Sequence, residues 1–126
     1  MIDFNSSGFF ARLRKVSNNT FGNIIDDLLI NGEYIIGAYQ SVRDGVVFTN
    51  MRIIAINVQG LTGKKKDFTS IPYSKITTFS LETAGVLDLD AELELYLSGV
   101  GKVKFQFTGS TDVKIICKMI SDYVLR

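Results

Sequence analysis

Residues 92–107 read ELELYLSGVGKVKFQF, and their alternation decides the fold. Leu93, Leu95 and Leu97 point to one side of an extended chain, and Glu92, Glu94 and Tyr96 point to the other. On the return, Val103, Phe105 and Phe107 alternate with Lys102, Lys104 and Gln106. Placing both apolar sets on one face pairs Leu97 with Val103 and Leu95 with Phe105, and leaves Gly99-Val100-Gly101 as a three-residue loop. Glu94 then lies diagonal to Lys104, within weak pairing distance. One face of this hairpin covers a core, and the other meets water or a partner.

Upstream, the same period continues. EYIIGAYQSV, RDG and VVFTN suggest a hairpin turning at Asp44-Gly45, a dipeptide suited to the positive φ angles of a type I′ turn. TNMR turns the chain into RIIAINV, and KKKDFTSIPY and ITTFSLET add two more extended runs. Pro72 cannot donate a ladder hydrogen bond, so it marks a strand end, an edge or a bend. Strands are therefore expected over 33–108.

The two ends read as helical. Phe9, Phe10, Leu13 and Val16 have helical spacing. Phe21, Ile24, Ile25, Leu28 and Leu29 form an apolar stripe that Thr20 or Asn19 would cap and Asn31-Gly32 would end. A helical segment over 1–31 follows, packed on its own domain or on a neighbouring subunit. In STDVKIICKMISDYVLR, Ser110 or Thr111 can cap a helix over 111–125, with Asp112 in its first turn. Its stripe is Val113, Ile116, Cys117, Ile120 and Val124. The expected core joins Leu93, Leu95, Leu97, Phe105 and Phe107 to Ile116 and Ile120. The architecture is mainly β within α+β: a seven-stranded antiparallel barrel or sandwich plugged by a C-terminal helix, a single domain over 1–126.

Composition excludes several function classes. The 126 residues are 46% hydrophobic with nine Phe and five Tyr, enough for one well-packed core. Fourteen Lys and Arg against thirteen Asp and Glu leave a net charge of +1, which argues no general affinity for nucleic acid or anionic membrane. One cysteine cannot form an internal disulfide, which suits a reducing compartment or simple indifference to redox; a soluble, cytoplasmic protein is the default expectation. No signal peptide and no membrane-spanning run are read.

The absence of histidine removes Ser-His-Asp, Cys-His and His-zinc chemistry. Cys117 lies on the apolar stripe and reads as an inert core thiol. Asp88, Asp90, Glu92 and Glu94 alternate along DLDAELE. An extended strand spreads carboxylates instead of wrapping an ion, and no EF-hand glycine accompanies them. They read as a solvated or partner-facing strand; no catalytic residue, metal or cofactor is assigned.

GLTGKKKDFTS, from Gly60, poses a separate question. A Walker A loop has four residues between its glycines and then leads into a helix; here two separate Gly60 from Gly63, and a strand follows. Lys64, Lys65 and Lys66 read first as a solvated hairpin turn, with contact to anionic lipid head groups as the alternative.

These segments together resemble the bacterial pleckstrin-homology-like domains. The resemblance rests on SVRDGVVFTNMRIIAI with its Thr-Asn-x-Arg turn, the GxxGKKxxFxSIPYSKI segment, FSLETAGVLDLDAELEL and the amphipathic final helix, from about Tyr34 to Tyr123. It implies a strongly bent seven-stranded antiparallel barrel capped by the C-terminal helix. It also implies a non-enzymatic binding module that assembles into cyclic homo-oligomers of about five copies and offers polar surface to other proteins. Phe4, Phe9, Phe10, Leu13 and Val16 suggest surplus apolar surface for self-association. The phosphoinositide site of eukaryotic pleckstrin-homology domains does not carry over. It uses basic residues around a longer first hairpin loop, whereas this chain has the tight Arg43-Asp44-Gly45.

Overall fold

The computed structural model describes residues 1–5, 8–83, 90–109 and 113–126, with the side chain of residue 113 excepted. Asp88 and the expected cap residues Ser110, Thr111 and Asp112 lie outside the described residues. The order is β1 (Phe9–Val16), α1 (Gly22–Leu28), β2 (Ile35–Gln40), β3 (Gly45–Thr49), β4 (Arg52–Gln59), β5 (Lys65–Pro72), a 3₁₀ turn (Tyr73–Lys75), β6 (Thr78–Thr83), β7 (Asp90–Leu97), β8 (Gly101–Thr108) and α2 (Val113–Val124). One eight-stranded sheet runs β5-β4-β3-β2-β1-β8-β7-β6. Every pairing is antiparallel except β1 with β8.

The eighth strand is the main departure from the seven-stranded expectation, and it lies where the sequence has helical spacing. β1 pairs Phe9 and Phe10 with Lys104 and Phe105, then slips register before Leu13 meets Phe107. Arg12 sits at the slip with φ +56, and its N–H donates to the Gln106 side chain at 3.2 Å. The extra residue of this bulge puts the inward-facing Phe10 and Leu13 three positions apart, which imitates helical spacing. Beyond the bulge, Arg14–Val16 pair with β2, so β1 joins the two halves of the sheet. Phe10 and Leu13 are buried in the protein's own core, so they offer no surface for self-association. The expected helical segment over 1–31 reduces to the seven residues of α1. Phe21 stands at its N-cap position with no side-chain capping bond, not Asn19 or Thr20.

Two turns also differ. Between β2 and β3 the loop is Ser41–Asp44, closed by Ser41 N–H to Asp44 O at 2.8 Å and Asp44 N–H to Ser41 Oγ at 2.9 Å. Gly45 is already strand, and the reason for glycine is the Phe21 ring, which occupies the space of a Cβ. In the β7–β8 hairpin the apolar face is as expected, but the register is two residues off. Leu97 opposes Gly101, Leu95 opposes Val103, and Leu93 opposes Phe105. Gly101, at φ +138, takes the position expected for Val103 because a side chain there would meet the Phe4 carbonyl at 2.5 Å. Glu94 therefore stands directly opposite Lys104.

The core follows the alternation. Leu93, Leu95, Leu97, Phe105, Phe107, Ile116 and Ile120 are all buried, together with Phe10, Leu13, Phe48, Ile53 and Ile71. α2 closes this core through Ile116 and Ile120, and Cys117 is half-buried beside them. Pro72 ends β5, a terminal strand of the sheet, as its missing N–H requires. A second, smaller cluster fills the opposite face of β2–β4, where Ala38, Val47, Ile54 and Ile56 pack under Ile25 of α1. That half of the sheet is covered on both sides. The β6–β7–β8 half is not. Among the described residues no helix is long and apolar enough to cross a membrane.

Candidate functional site

Strand alternation sends Asp90, Glu92, Glu94 and Tyr96 of β7 to the uncovered face, beside Lys102, Lys104, Gln106 and Thr108 of β8. The sequence reading missed Glu82, which β6 sets directly opposite Glu92. The signal was present: in FSLET, Phe79 and Leu81 alternate with Ser80 and Glu82. Four carboxylates thus share a face with two ammoniums. Lys104 Nζ lies 3.4 Å from Glu92 Oε2 and 3.8 Å from Glu94 Oε2, and Lys102 Nζ is 4.0 Å from Glu94 Oε2. Such partly exposed pairs contribute little stability, roughly 0–1 kcal/mol each. Their consequence is the charge pattern, negative along β6–β7 and neutralised toward β8.

A groove of about 300 Å³ opens beside these pairs, lined by Phe4, Gly8, Phe9, Glu92, Glu94 and Lys102 among others. Phe4 and Gly8 form its wall on the β1 side of β8: Lys102 N–H donates to Phe4 O at 3.1 Å and Lys104 N–H to Gly8 O at 2.7 Å. Gly8 is needed because a Cβ there would lie 2.7 Å from the Lys102 carbonyl. Phe9, 48% exposed, and Tyr96, 47% exposed, add aromatic surface to this face. No cluster of three or more metal-ligating side chains occurs among the described residues. Successive outward carboxylates on one strand stand about 7 Å apart, too far to wrap one ion without loop ligands.

The three lysines span a loop and a strand. Lys64 ends the β4–β5 loop, whereas Lys65 and Lys66 already belong to β5, opposite Gln59 and Val58. Consecutive strand residues face opposite ways, so Lys65 and Lys66 leave β5 on opposite faces.

A polar lock was also missed by the sequence reading. The Glu33 side chain is wholly buried and accepts bonds from Arg52 Nε at 2.9 Å, Arg52 Nη2 at 2.9 Å, Thr49 Oγ1 at 2.7 Å and Ile30 N–H at 3.0 Å. Burial pushes its carboxyl pKa up. Those hydrogen bonds, with the Arg52 charge, outweigh burial and hold it below the usual carboxylate range. Arg52 also donates to Leu28 O at 2.6 Å and Ser70 Oγ at 2.9 Å, fixing the end of α1 to the sheet. Nearby, burial raises the Tyr73 hydroxyl well above its usual range; it donates to Thr49 O at 2.8 Å while its ring stacks on Tyr123.

The fold has close counterparts. The chain is 38% identical to a DUF1696 family protein with a pleckstrin-homology domain from Shewanella loihica PV-4, whose crystal structure superposes with a TM-score of 0.79 over 90% of this chain and 97% of that one. A pleckstrin homology domain from Shewanella amazonensis SB2B is 41% identical, with a TM-score of 0.67 over 88% of this chain and 90% of that one. Among curated sequences, YjqA of Bacillus subtilis (strain 168) is 44% identical over 96 residues, 75% of this chain and 77% of YjqA. The Bacterial PH domain model matches residues 6–124, nearly the whole chain, and the protein belongs to that family.

Proposed function

We propose that the protein is a non-enzymatic binding module that assembles into a closed homo-oligomer and holds a protein partner on the outer face of β6–β7–β8. The carrying observation is the asymmetry of the sheet. Its β2–β4 half is covered on both faces, whereas the β6–β8 half leaves Glu82, Asp90, Glu92 and Glu94 on an open face next to Phe9 and Tyr96. Half-exposed aromatics beside ordered charge are the composition of a recognition surface. A histidine-free sequence and carboxylates spread along strands favour binding over catalysis. A single cysteine fits a cytoplasmic setting.

Self-assembly has a separate surface available. Ile24 and Leu28 on the outside of α1, with Ile30, Tyr34 and Met51, are between 39% and 61% exposed. Asn50 and Arg52 hold this turn in place through Tyr34 N–H to Asn50 Oδ1 at 2.8 Å and the bond to Leu28 O. Apolar surface of this kind is covered by association. A head-to-tail contact repeated around an axis closes into a ring, and the family resemblance suggests about five copies. Affinity capture from the native source tests the partner face. A protein retained by the natural chain and lost with a Glu92→Lys, Glu94→Lys variant supports the reading; identical capture by both contradicts it.

One observation favours a second reading, contact with a bilayer. Val42 and Leu61, at the tips of the β2–β3 and β4–β5 loops, are 101% and 106% exposed. Arg43 ties the two loops together by donating to Gly60 O at 2.7 Å, with Lys64 close in sequence. Two apolar tips flanked by cations suit shallow insertion among anionic head groups. Sedimentation with phosphatidylserine vesicles at physiological salt, abolished by Val42→Ser with Leu61→Ser, would promote this reading; no sedimentation removes it.

A further inference from the structure

We propose that the free edge of β6 is a strand-addition site, which takes an extended segment of a partner protein alternating Lys or Arg with apolar residues. The hydrogen-bonding sense of the edge follows from the ladder. Lys102 and Lys104 donate their N–H groups to Phe4 and Gly8, away from β7. Their neighbours Val103 and Phe105 therefore bond Leu95 and Leu93. In β7 this leaves Glu92, Glu94 and Tyr96 to bond Glu82, Ser80 and Thr78 of β6. The N–H and C=O groups of Phe79, Leu81 and Thr83 then point off the end of the sheet. Among the described residues, no hydrogen bond beyond β7 reaches them.

The two ends of the sheet are treated differently. β5 carries Lys65, Lys66 and Pro72, and two of its side chains hold the N-terminus, with the Met1 ammonium 2.7 Å from Asp67 Oδ1 and Ile2 N–H 3.1 Å from Thr69 Oγ1. Lysine and proline are ordinary defences of an edge. β6, Thr-Phe-Ser-Leu-Glu-Thr, has no lysine, arginine or proline, and its six pairs with β7 run without a register slip. It is regular, rich in strand-favouring residues and open, as a template for strand addition must be.

Charge selects the occupant. Glu82 stands opposite Glu92, a like-charged cross-strand pair that is unfavourable in itself. Lys104 reaches Glu92 and Glu94, but among the described residues no cation pairs with Glu82. An added strand with Lys or Arg beside Glu82 supplies that cation, while its alternate residues lie beside the half-buried Phe79 and Leu81. The protein already contains one segment of this pattern: Lys102-Val103-Lys104-Phe105 complements Glu94 and Glu92 in the same way.

This inference rests on the reading of the acidic face as a partner surface, and amide exchange separates the two. The probe is the synthetic peptide Gly-Lys-Val-Lys-Phe-Gln-Phe, acetylated and amidated, added to the full-length protein. Slowing of Leu81 and Thr83 amide exchange by at least tenfold is expected, with weaker binding at 0.5 M salt. Thr83→Pro removes an outward N–H that the ladder does not use, and should abolish the protection. Glu82→Lys keeps the backbone intact and should weaken binding at least tenfold, which guards against a misfolded proline variant. Absence of protection at millimolar peptide, or protection that survives both substitutions, overturns strand addition. A native partner captured through Glu92 and Glu94 without protection of Leu81 would leave the binding face standing and remove only the strand mode. Edge amides already protected in the free protein, with Thr83→Pro releasing monomers, would assign the edge to a second copy and overturn the proposal.

Discussion

Glu33 and Arg52 meet in a two-pronged contact, Nε to Oε2 and Nη2 to Oε1, both at 2.9 Å, with the carboxylate side chain withdrawn from solvent. The guanidinium is planar and fork-shaped, so a lysine cannot reproduce both bonds together with those to Leu28 O and Ser70 Oγ. This contact ties α1, the Ile30–Glu33 turn and β4 into one unit. It therefore holds the exposed apolar surface used in the proposed self-assembly.

Removing one partner leaves the other charge buried and unpaired. Arg52→Ala should cost about 3–5 kcal/mol in denaturant unfolding, and Arg52→Lys should recover only part of the loss. A cost below about 1 kcal/mol would mean that the contact is dispensable.

The same carboxylate sets a pH dependence. Its folded pKa lies below the ordinary glutamate value, so the folded protein binds fewer protons than the unfolded chain as acid is added. Its contribution is complete above the unfolded pKa of about 4.3 and declines as pH falls through the lower folded value. Asp67 acts in the same sense, because the hydrogen bond and charge of the N-terminal ammonium lower its pKa against a smaller effect of burial. Stability should fall below roughly pH 5, and Glu33→Gln should be less stable at neutral pH with a shallower decline toward roughly pH 3. Unfolding titrations across that range measure both; parallel curves for the two chains would contradict the assignment.

Much of this architecture is legible in the sequence, because period-two alternation marks any strand with one wet face. Leu93, Leu95, Phe105 and Phe107 are placed in the core by that alternation, and Ile116 and Ile120 by the final helix stripe; all six are buried. The same logic fails where a rule is broken locally. At Arg12 a bulge changes strand spacing into apparent helix spacing. At Gly45 the glycine answers a packed ring, not a turn. The acidic face is visible in Glu92 and Glu94, and the FSLET alternation marks Glu82 as outward, but the pairing of Glu82 with Glu92 and the Glu33–Arg52 lock depend on contacts between distant segments. No local pattern encodes those.

The glycines of the β7–β8 hairpin separate steric need from conformational need. Both have positive φ, +77 at Gly99 and +138 at Gly101, but only Gly101 has backbone in the way, since a Cβ there would stand 2.5 Å from Phe4 O. Gly99→Ala should cost about 1–2 kcal/mol from backbone strain alone. Gly101→Ala should cost more, about 2–4 kcal/mol, and should loosen the groove wall at Phe4. Equal losses in thermal or denaturant unfolding would show that the Phe4 contact is not limiting.

Size-exclusion chromatography coupled to light scattering tests the proposed self-assembly most directly. At tens of micromolar, roughly, the protein should elute as one species whose mass is a small whole multiple of 14.0 kDa, with about five copies expected. Leu28→Lys with Ile30→Lys should return it to a folded single copy. A natural chain that remains a 14.0 kDa monomer at that concentration would contradict the proposed assembly.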